Sequence, residues 1–235
     1  MPQSIAFTDS GCLTTHNEDR YWISPERGIY LLSDGIGGSK AGEVASQMLV
    51  DHLPEFLRGA PPPDLRLWLI SAIRKTSQKI DEKSKTSPHY RGMATTLTLL
   101  YLTTSTYTVA QVGDSRAYLL RNNHLQQITQ DHTVAFELYR YGSISKEALR
   151  HHPNRSLLTR TVGKDLVVPE LFSDTIQTGD RFLLCTDGLV GELTDNEILE
   201  IMQKEQDLSI QGKTLLETAK NAGGRDNITL ILVRL

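Results

Sequence analysis

Five short acidic motifs are spread along this chain of 235 residues: Asn17-Glu18-Asp19, Asp34-Gly35-Ile36-Gly37-Gly38, Gly113-Asp114-Ser115-Arg116, Thr186-Asp187-Gly188 and Arg225-Asp226-Asn227. Each sets an Asp at or beside a tight turn. Three follow an apolar run that reads as a strand: residues 29–32 before Asp34, 109–112 before Asp114 and 182–185 before Asp187. Strand ends that deliver carboxylates to one rim of a sheet make a cluster that cannot stand bare. Two carboxylates ~5 Å apart repel by roughly 3 kcal/mol even at an effective dielectric of about 20, and five motifs contain many such pairs. Something positive must sit among them. No motif contains His or Cys, so the donors are all oxygens, which favours Mg²⁺ or Mn²⁺ over zinc. The pattern points to a metal-dependent hydrolase.

The rest of the chain frames those motifs. Residues 4–9, 20–24, 28–33, 95–103, 106–112, 116–121, 124–128 and 227–234 read as strands, and Asn122-Asn123 suits the tight turn of a hairpin. Over 41–57 the residues Val44, Ala45, Met48, Leu49, Leu53 and Phe56 recur at helical spacing. After the Pro61-Pro62-Pro63 break, Leu65, Trp68, Leu69, Ala72, Ile73 and Ile80 do the same. Thr194-Asp195-Asn196-Glu197 offers a capping box for a helix to about Lys204, and another helix fills about 209–221. The polar stretch 83–91 reads as a flexible loop. Strands grouped together and helices grouped in pairs give an α+β layering. Ligands at both ends of the chain must converge on one site, so 1–235 is expected to form a single domain.

The charge balance excludes several functions. A formal net charge of -3 leaves no basic footprint for nucleic acid and no polybasic patch for a membrane. Cys12 and Cys185 lack metal-type spacing, and a reducing cytoplasm is the compartment that suits them. The first seven residues have neither a basic nor an apolar signal region. No apolar run approaches the ~20 residues that span a bilayer. The expectation is a cytoplasmic, unanchored enzyme.

In this order, together with Met93-Ala94-Thr95-Thr96, the motifs resemble the PPM, or type 2C, family of metal-dependent serine/threonine protein phosphatases. The resemblance runs from about Thr8 to Val233 and is closest to the small stand-alone bacterial members. It implies a four-layer αββα sandwich, two antiparallel sheets flanked by helix pairs, with a dinuclear metal site at one end. It also implies two Mn²⁺ or Mg²⁺ ions, bridged by Asp34, with the Gly35 carbonyl on one and Asp187 and Asp226 on the other. Glu18 and Asp19 then act through bound waters or directly, and catalysis by Asp34, Asp187 and Asp226 runs through metal-activated water. Bacterial members suggest a third, weakly held ion at Asp114 and Asp187. The residues alone leave open an ordinary ion pair of Asp114 with Arg116. The implied reaction is hydrolysis of phosphoserine and phosphothreonine on phosphorylated proteins by a metal-bridging hydroxide, without a covalent enzyme intermediate, opposite a bacterial Ser/Thr kinase.

Three positions depart from that family. Thr14 stands where an Arg commonly clamps substrate phosphate, Ile36 where eukaryotic members often carry a His, and Ser39 where some bacterial members carry one. Thr14 and His16 are therefore the candidate phosphate-side residues, with Arg20 and Lys40 as neighbours that could serve instead. His132, in Gln130-Asp131-His132-Thr133, opens a flap over about 133–160 and has a structural or substrate-side role. The flap's basic residues Arg140, Lys146, Arg150, His151, His152 and Arg155 read as a solvated helical hairpin or as a surface for acidic or phosphorylated partners. Cys185 reads as a buried strand residue. Loss of the clamp Arg keeps a second reading open, a catalytically weak, phosphoprotein-binding regulatory pseudophosphatase. The acidic balance weighs against a two-metal nuclease.

Overall fold

All five residues of the strand Ile29–Ser33 are buried, which a strand achieves only when both of its faces are covered. Ile29 and Leu31 enter one apolar cluster with Leu49, Leu53 and Ile73, while Tyr30 and Leu32 enter another with Phe182, Leu184, Ile231 and Val233. On the opposite sheet the alternation repeats, with Leu183 and Cys185 facing a third cluster that contains Leu215 and Ala219. Three cores separated by two sheets make four layers, helix on sheet on sheet on helix, as expected for the αββα class.

The computed structural model describes residues 2–36, 41–164, 166–204 and 207–235. One sheet runs in the order β1 (Gln3–Asp9), β12 (Ile228–Arg234), β11 (Arg181–Cys185), β8 (Arg116–Arg121), β9 (His124–Gln127). The other runs β10 (Glu170–Thr175), β7 (Thr106–Val112), β6 (Leu97–Leu102), β3 (Ile29–Ser33), β2 (Arg20–Ser24). A small ribbon pairs β4 (Gly35–Ile36) with β5 (Ala94–Thr95). Helices α1 (Gly42–Phe56) and α2 (Leu65–Ser84) cover the second sheet. The first sheet is covered by α6 (Asp195–Met202) and α7 (Leu208–Ala222), with the short α5 (Asp187–Val190) at its edge. Between β9 and β10 lie α3 (Val134–Arg140) and α4 (Lys146–Leu149), inside the stretch read as a flap. Among the described residues no helix is long and apolar enough to cross a membrane.

Every strand pair is antiparallel, and this places the site. Antiparallel neighbours enter and leave at the same edge, so the start of β2 lies beside the end of β3 (Arg20 opposite Ser33). The start of β6 meets the end of β7 (Leu97 opposite Val112). In the other sheet the end of β11 meets the start of β8 (Cys185 opposite Arg116) and lies near the start of β12 (Cys185 opposite Leu230). The turns carrying Asp19, Asp34, Asp114, Asp187 and Asp226 thus gather at one end of the sandwich.

Local chemistry agrees with most of the predicted boundaries. Thr194 and Glu197 form the capping box of α6, and Asn122 and Asn123 both have positive φ (51° and 61°), as a type I′ hairpin turn requires. Three expectations change. The predicted strand 95–103 breaks at Thr96, whose N–H leaves the sheet to reach the Asp34 carbonyl at 2.9 Å. The predicted flexible loop 83–91 is the end of α2 followed by a 3₁₀ turn over Pro88–Tyr90 that Ser87 caps. Strand β10 is new, because a sheet-edge strand whose second half is exposed lacks the apolar signature of its neighbours.

Candidate metal centre

The carboxylates are positioned by backbone turns that short polar side chains tie together. Asp34 follows β3, and its N–H donates to the Thr96 hydroxyl at 3.0 Å. The Thr95 hydroxyl donates to the Asp34 carbonyl at 2.7 Å, and the Thr96 and Ser115 hydroxyls are 2.8 Å apart. Gln111 donates to the Gly113 carbonyl at 3.0 Å from the same buried network. The turn bearing Asp34 and the turn bearing Asp114 are therefore one hydrogen-bonded unit. On the other side Asn227 joins the two ends of the chain. Its amide donates to the carbonyls of Ser10 (3.0 Å) and His16 (2.9 Å), and its oxygen accepts from the Glu18 N–H (2.8 Å). Close approach is also why two positions are glycine. A Cβ on Gly35 would overlap the Gly42 backbone, and one on Gly188 would overlap the Asn227 carbonyl.

These turns wall an open cleft of about 640 Å³ that contains Thr14, His16, Glu18, Asp34, Gly35, Asp114, Asp187 and Asp226. Ser156 and Leu158 close one side of it from the stretch read as a flap. Asp19 stands behind the cleft, buried, and accepts a hydrogen bond from the Thr186 hydroxyl at 2.9 Å. Gly37, Gly38, Ser39 and Lys40, all named in the sequence reading, lie outside the described residues.

The electrostatics are those of a cation site. Burial, then the neighbouring Asp19, Asp187, Asp114 and Asp226, push the Asp34 carboxyl well above the usual carboxylate range. Burial and Asp226 raise Asp187 to about 6, with a hydrogen bond from Asp34 pulling it back. Burial raises Asp19 to about 7 against the hydrogen bonds of Thr229 and Thr186. Burial, Asp187 and Asp131 raise Asp114, and burial, Glu43 and Asp226 raise Glu18. Arg116 acts against the rise at Asp114 and Asp187 and His16 against it at Glu18, yet each of these carboxyls stays raised.

The residues fit hard divalent ions. Every donor in the ring is a carboxylate or a carbonyl oxygen. Asp19 Oδ1 is buried without a hydrogen-bond partner, an acceptor left over among the buried carboxyls. Among the described residues no three His, Cys, Asp or Glu side chains are arranged to hold an ion unaided. Mg²⁺ commonly keeps several waters and takes only one or two carboxylates from the protein.

The remaining candidates fall in different places. Arg116 commits its fork to Asp131 (2.8 and 2.6 Å) and its other arm to the Tyr118 hydroxyl (3.0 Å), so Asp114 does not share its hydrogen bonds. The Thr14 hydroxyl is taken up within its own loop, donating to the His16 carbonyl (2.6 Å) and accepting from the His16 N–H (3.0 Å). Arg20 holds the carbonyls of Asn17 and Asp19 and the side chain of Gln47, a structural clamp on the loop. His132 is buried away from the cleft wall. Its Nδ1 accepts from the Gly113 N–H at 3.1 Å, which leaves the proton on Nε2, 3.4 Å from Glu170. Burial and the Arg160 guanidinium keep its imidazole below the ordinary value. Cys185 is buried in the core, and burial pushes its thiol up to about 12. Thr96, Ser115, Thr186 and Asn227 hold the acidic turns in place, a role that the motifs alone do not assign to them. They stood inside or beside the quoted motifs, and their adjacency to each Asp was the available signal.

The model of the protein phosphatase 2C family matches residues 14–228, and this chain belongs to that family. The serine/threonine phosphatase stp of Listeria monocytogenes serotype 4b is 36% identical over 234 residues, 96% of this chain and 93% of the relative. The crystal structure of the Mycobacterium tuberculosis serine/threonine phosphatase PstP/Ppp superimposes with a TM-score of 0.93 at 35% identity, covering 100% of this chain and 98% of that one. A structure of the PstP catalytic domain in complex with two manganese ions has a TM-score of 0.90 at 33% identity, covering 99% and 97%.

Proposed function

We propose that this chain hydrolyses the phosphate esters of phosphoserine and phosphothreonine on proteins. In this reading Asp34, Gly35, Asp187 and Asp226 hold two Mn²⁺ or Mg²⁺ ions, Glu18 and Asp19 orient the surrounding waters, and Asp114 with Asp187 holds a third, weaker ion. The observation that carries it is the crowding of Asp34 by Asp19, Asp187, Asp114 and Asp226, an all-oxygen ring of buried, mutually repelling carboxyls. Such ions, when bound, supply the Lewis acidity and positive charge that in-line displacement at phosphorus needs. The chain's own contribution is position. Strand ends and the Thr96–Ser115 and Asn227 hydrogen bonds fix the carboxylates before substrate arrives, so little reorganisation is left for the reaction. His16, exposed in the cleft wall, is the side chain offered for proton delivery to the departing alcohol, while the Thr14 hydroxyl beside it is closed on the His16 backbone. His132 works from behind, holding the Gly113 turn beside Asp114.

The partners follow from the reaction: phosphorylated proteins as substrates and a Ser/Thr kinase acting in opposition. Free Cys12 and Cys185 support work in a reducing cytoplasm. The test is release of phosphate from a phosphothreonine peptide in Mn²⁺, in Mg²⁺ and in EDTA. Turnover in either metal and none in EDTA is expected. Phosphopeptide binding without turnover in any metal supports the pseudophosphatase instead.

A further inference from the structure

We propose that a recess beside the cleft, formed by residues 158–161, 164 and 166–168 near helix α2, is a substrate subsite for the polypeptide flanking the phosphorylated residue. Its occupant is an acidic side chain together with an apolar neighbour. This rests on the phosphatase reading above. The phosphate end of the cleft offers little grip, because the Thr14 hydroxyl is closed on His16 and the Arg20 fork on its own loop and Gln47. Affinity for a protein substrate then has to come from contacts beyond the phosphate.

The recess has a volume of about 280 Å³ and is lined by Leu158, Arg160, Thr161, Lys164, Leu166 and Val168, among others. Leu158 also lines the carboxylate cleft, so one side chain separates the two hollows. Its floor is fastened from below. Ser77 of α2 accepts from the Gly163 N–H at 2.9 Å and donates to the Lys164 carbonyl at 3.0 Å, and Val162 bonds Thr95 in both directions at 2.8 and 2.9 Å. The recess is therefore continuous with the site and braced against the sheet.

Its chemistry selects the occupant. Arg160 is spent on Glu170 at 3.0 Å, whereas the Lys164 ammonium has no ion pair or hydrogen bond among the described residues. The Thr161 hydroxyl in the wall is buried and lacks a hydrogen-bond partner. Beside these polar groups Leu166 and Val168 stand 91% and 56% exposed, two large apolar side chains left in water. Leu166 is also held at φ 58°, a backbone conformation that a leucine seldom adopts. A cation unpaired among the described residues, beside exposed aliphatic groups, fits a carboxylate next to an aliphatic residue. An extended peptide advances ~3.3 Å per residue, so residues a few places from the phosphorylated one can cross Leu158 into the recess.

The test compares short phosphothreonine peptides with the metal-loaded enzyme. One set carries Leu-Glu at successive positions on either side of the phosphothreonine, and the other carries Ser-Lys at the same positions. p-Nitrophenyl phosphate, too small to reach the recess, serves as the reference. In one register the Leu-Glu peptide should have a kcat/KM about tenfold above its Ser-Lys counterpart. Lys164→Gln should abolish the charge part of that preference, Lys164→Glu should reverse it, and Val168→Asp should weaken the apolar part. All three should hydrolyse p-nitrophenyl phosphate like the parent, which also reports that they fold. Equal rates for both peptides in every register overturn the subsite, as does a Leu-Glu preference left undiminished by Lys164→Glu. Failure of the parent to hydrolyse p-nitrophenyl phosphate in Mn²⁺ or Mg²⁺ overturns the phosphatase reading itself, a distinguishable result.

Discussion

Stripped of metal, this protein should lose stability as pH rises through neutrality. Asp19 is 1% exposed, and burial, reinforced by Asp187 and Asp226, raises its carboxyl from 3.8 to about 7. Between those values the folded chain keeps a proton that the unfolded chain has released. The stabilisation is complete below the unfolded value and is lost as pH climbs through the folded one. Forcing this one group to ionise costs the folded state about 4 kcal/mol, of which about 2 kcal/mol falls above pH 5.5 or so. For a domain of this length that lowers Tm by roughly 4–8 °C. Asp187 and Asp34 are raised in the same direction but share protons with their neighbours, so the contributions do not add as independent groups. His132, held below its ordinary value, acts in the opposite sense by losing stability as pH falls. The assay is a set of thermal melts of EDTA-treated protein from about pH 5.5 to about pH 8.5, with and without excess Mn²⁺, beside Asp19→Asn. Tm should fall across the range in EDTA, the fall should vanish in Mn²⁺, and Asp19→Asn should make it shallower without metal. A Tm that is level or rising in EDTA, or a slope unchanged in Asp19→Asn, would refute the reasoning.

Other outcomes follow from the same geometry. Asp34→Asn, Asp187→Asn and Asp226→Asn should each lower turnover by several orders of magnitude with melting near that of the parent, measured as phosphopeptide kcat; full activity in Asp226→Asn sinks the assignment. Asp114→Ala should melt within about 2 °C of the parent, because Arg116 bonds Asp131 rather than Asp114, yet lose activity on phosphopeptides. Asp131→Ala should instead destabilise by about 3 kcal/mol, since it strands a largely buried guanidinium, a loss visible in a denaturant melt. Thr14→Arg, which adds a planar fork where the present hydroxyl is already occupied, should lower KM for small aryl phosphates about ten- to a hundredfold with kcat similar; an unchanged KM counts against it.

How much of this protein its sequence determines depends on whether a feature is local. The buried run at Ile29–Ser33 and those before Asp114 and Asp187 are legible because a strand covered on both faces is apolar at most positions, the buried Ser33 and Gln111 being hydrogen-bonded exceptions. Each carboxylate at the end of such a run could therefore be named in advance. The capping box at Thr194 and the paired asparagines at 122 and 123 are legible for the same reason, since their partners lie within a few residues. Strand β10 was not, because Glu170–Thr175 is a strand by virtue of pairing with β7, and half of it faces water. Nor could the sequence show that Arg116 would choose Asp131 over Asp114. A guanidinium two residues from one carboxylate and fifteen from another goes where the folded turns bring the oxygens. The same holds for Thr96, which breaks a predicted strand to hold Asp34, and for His132, which bolts the Gly113 turn instead of facing the cleft. Side-chain type and periodicity are properties of a segment, whereas hydrogen-bond partners across 19 or 62 residues exist only once the two sheets have closed on each other.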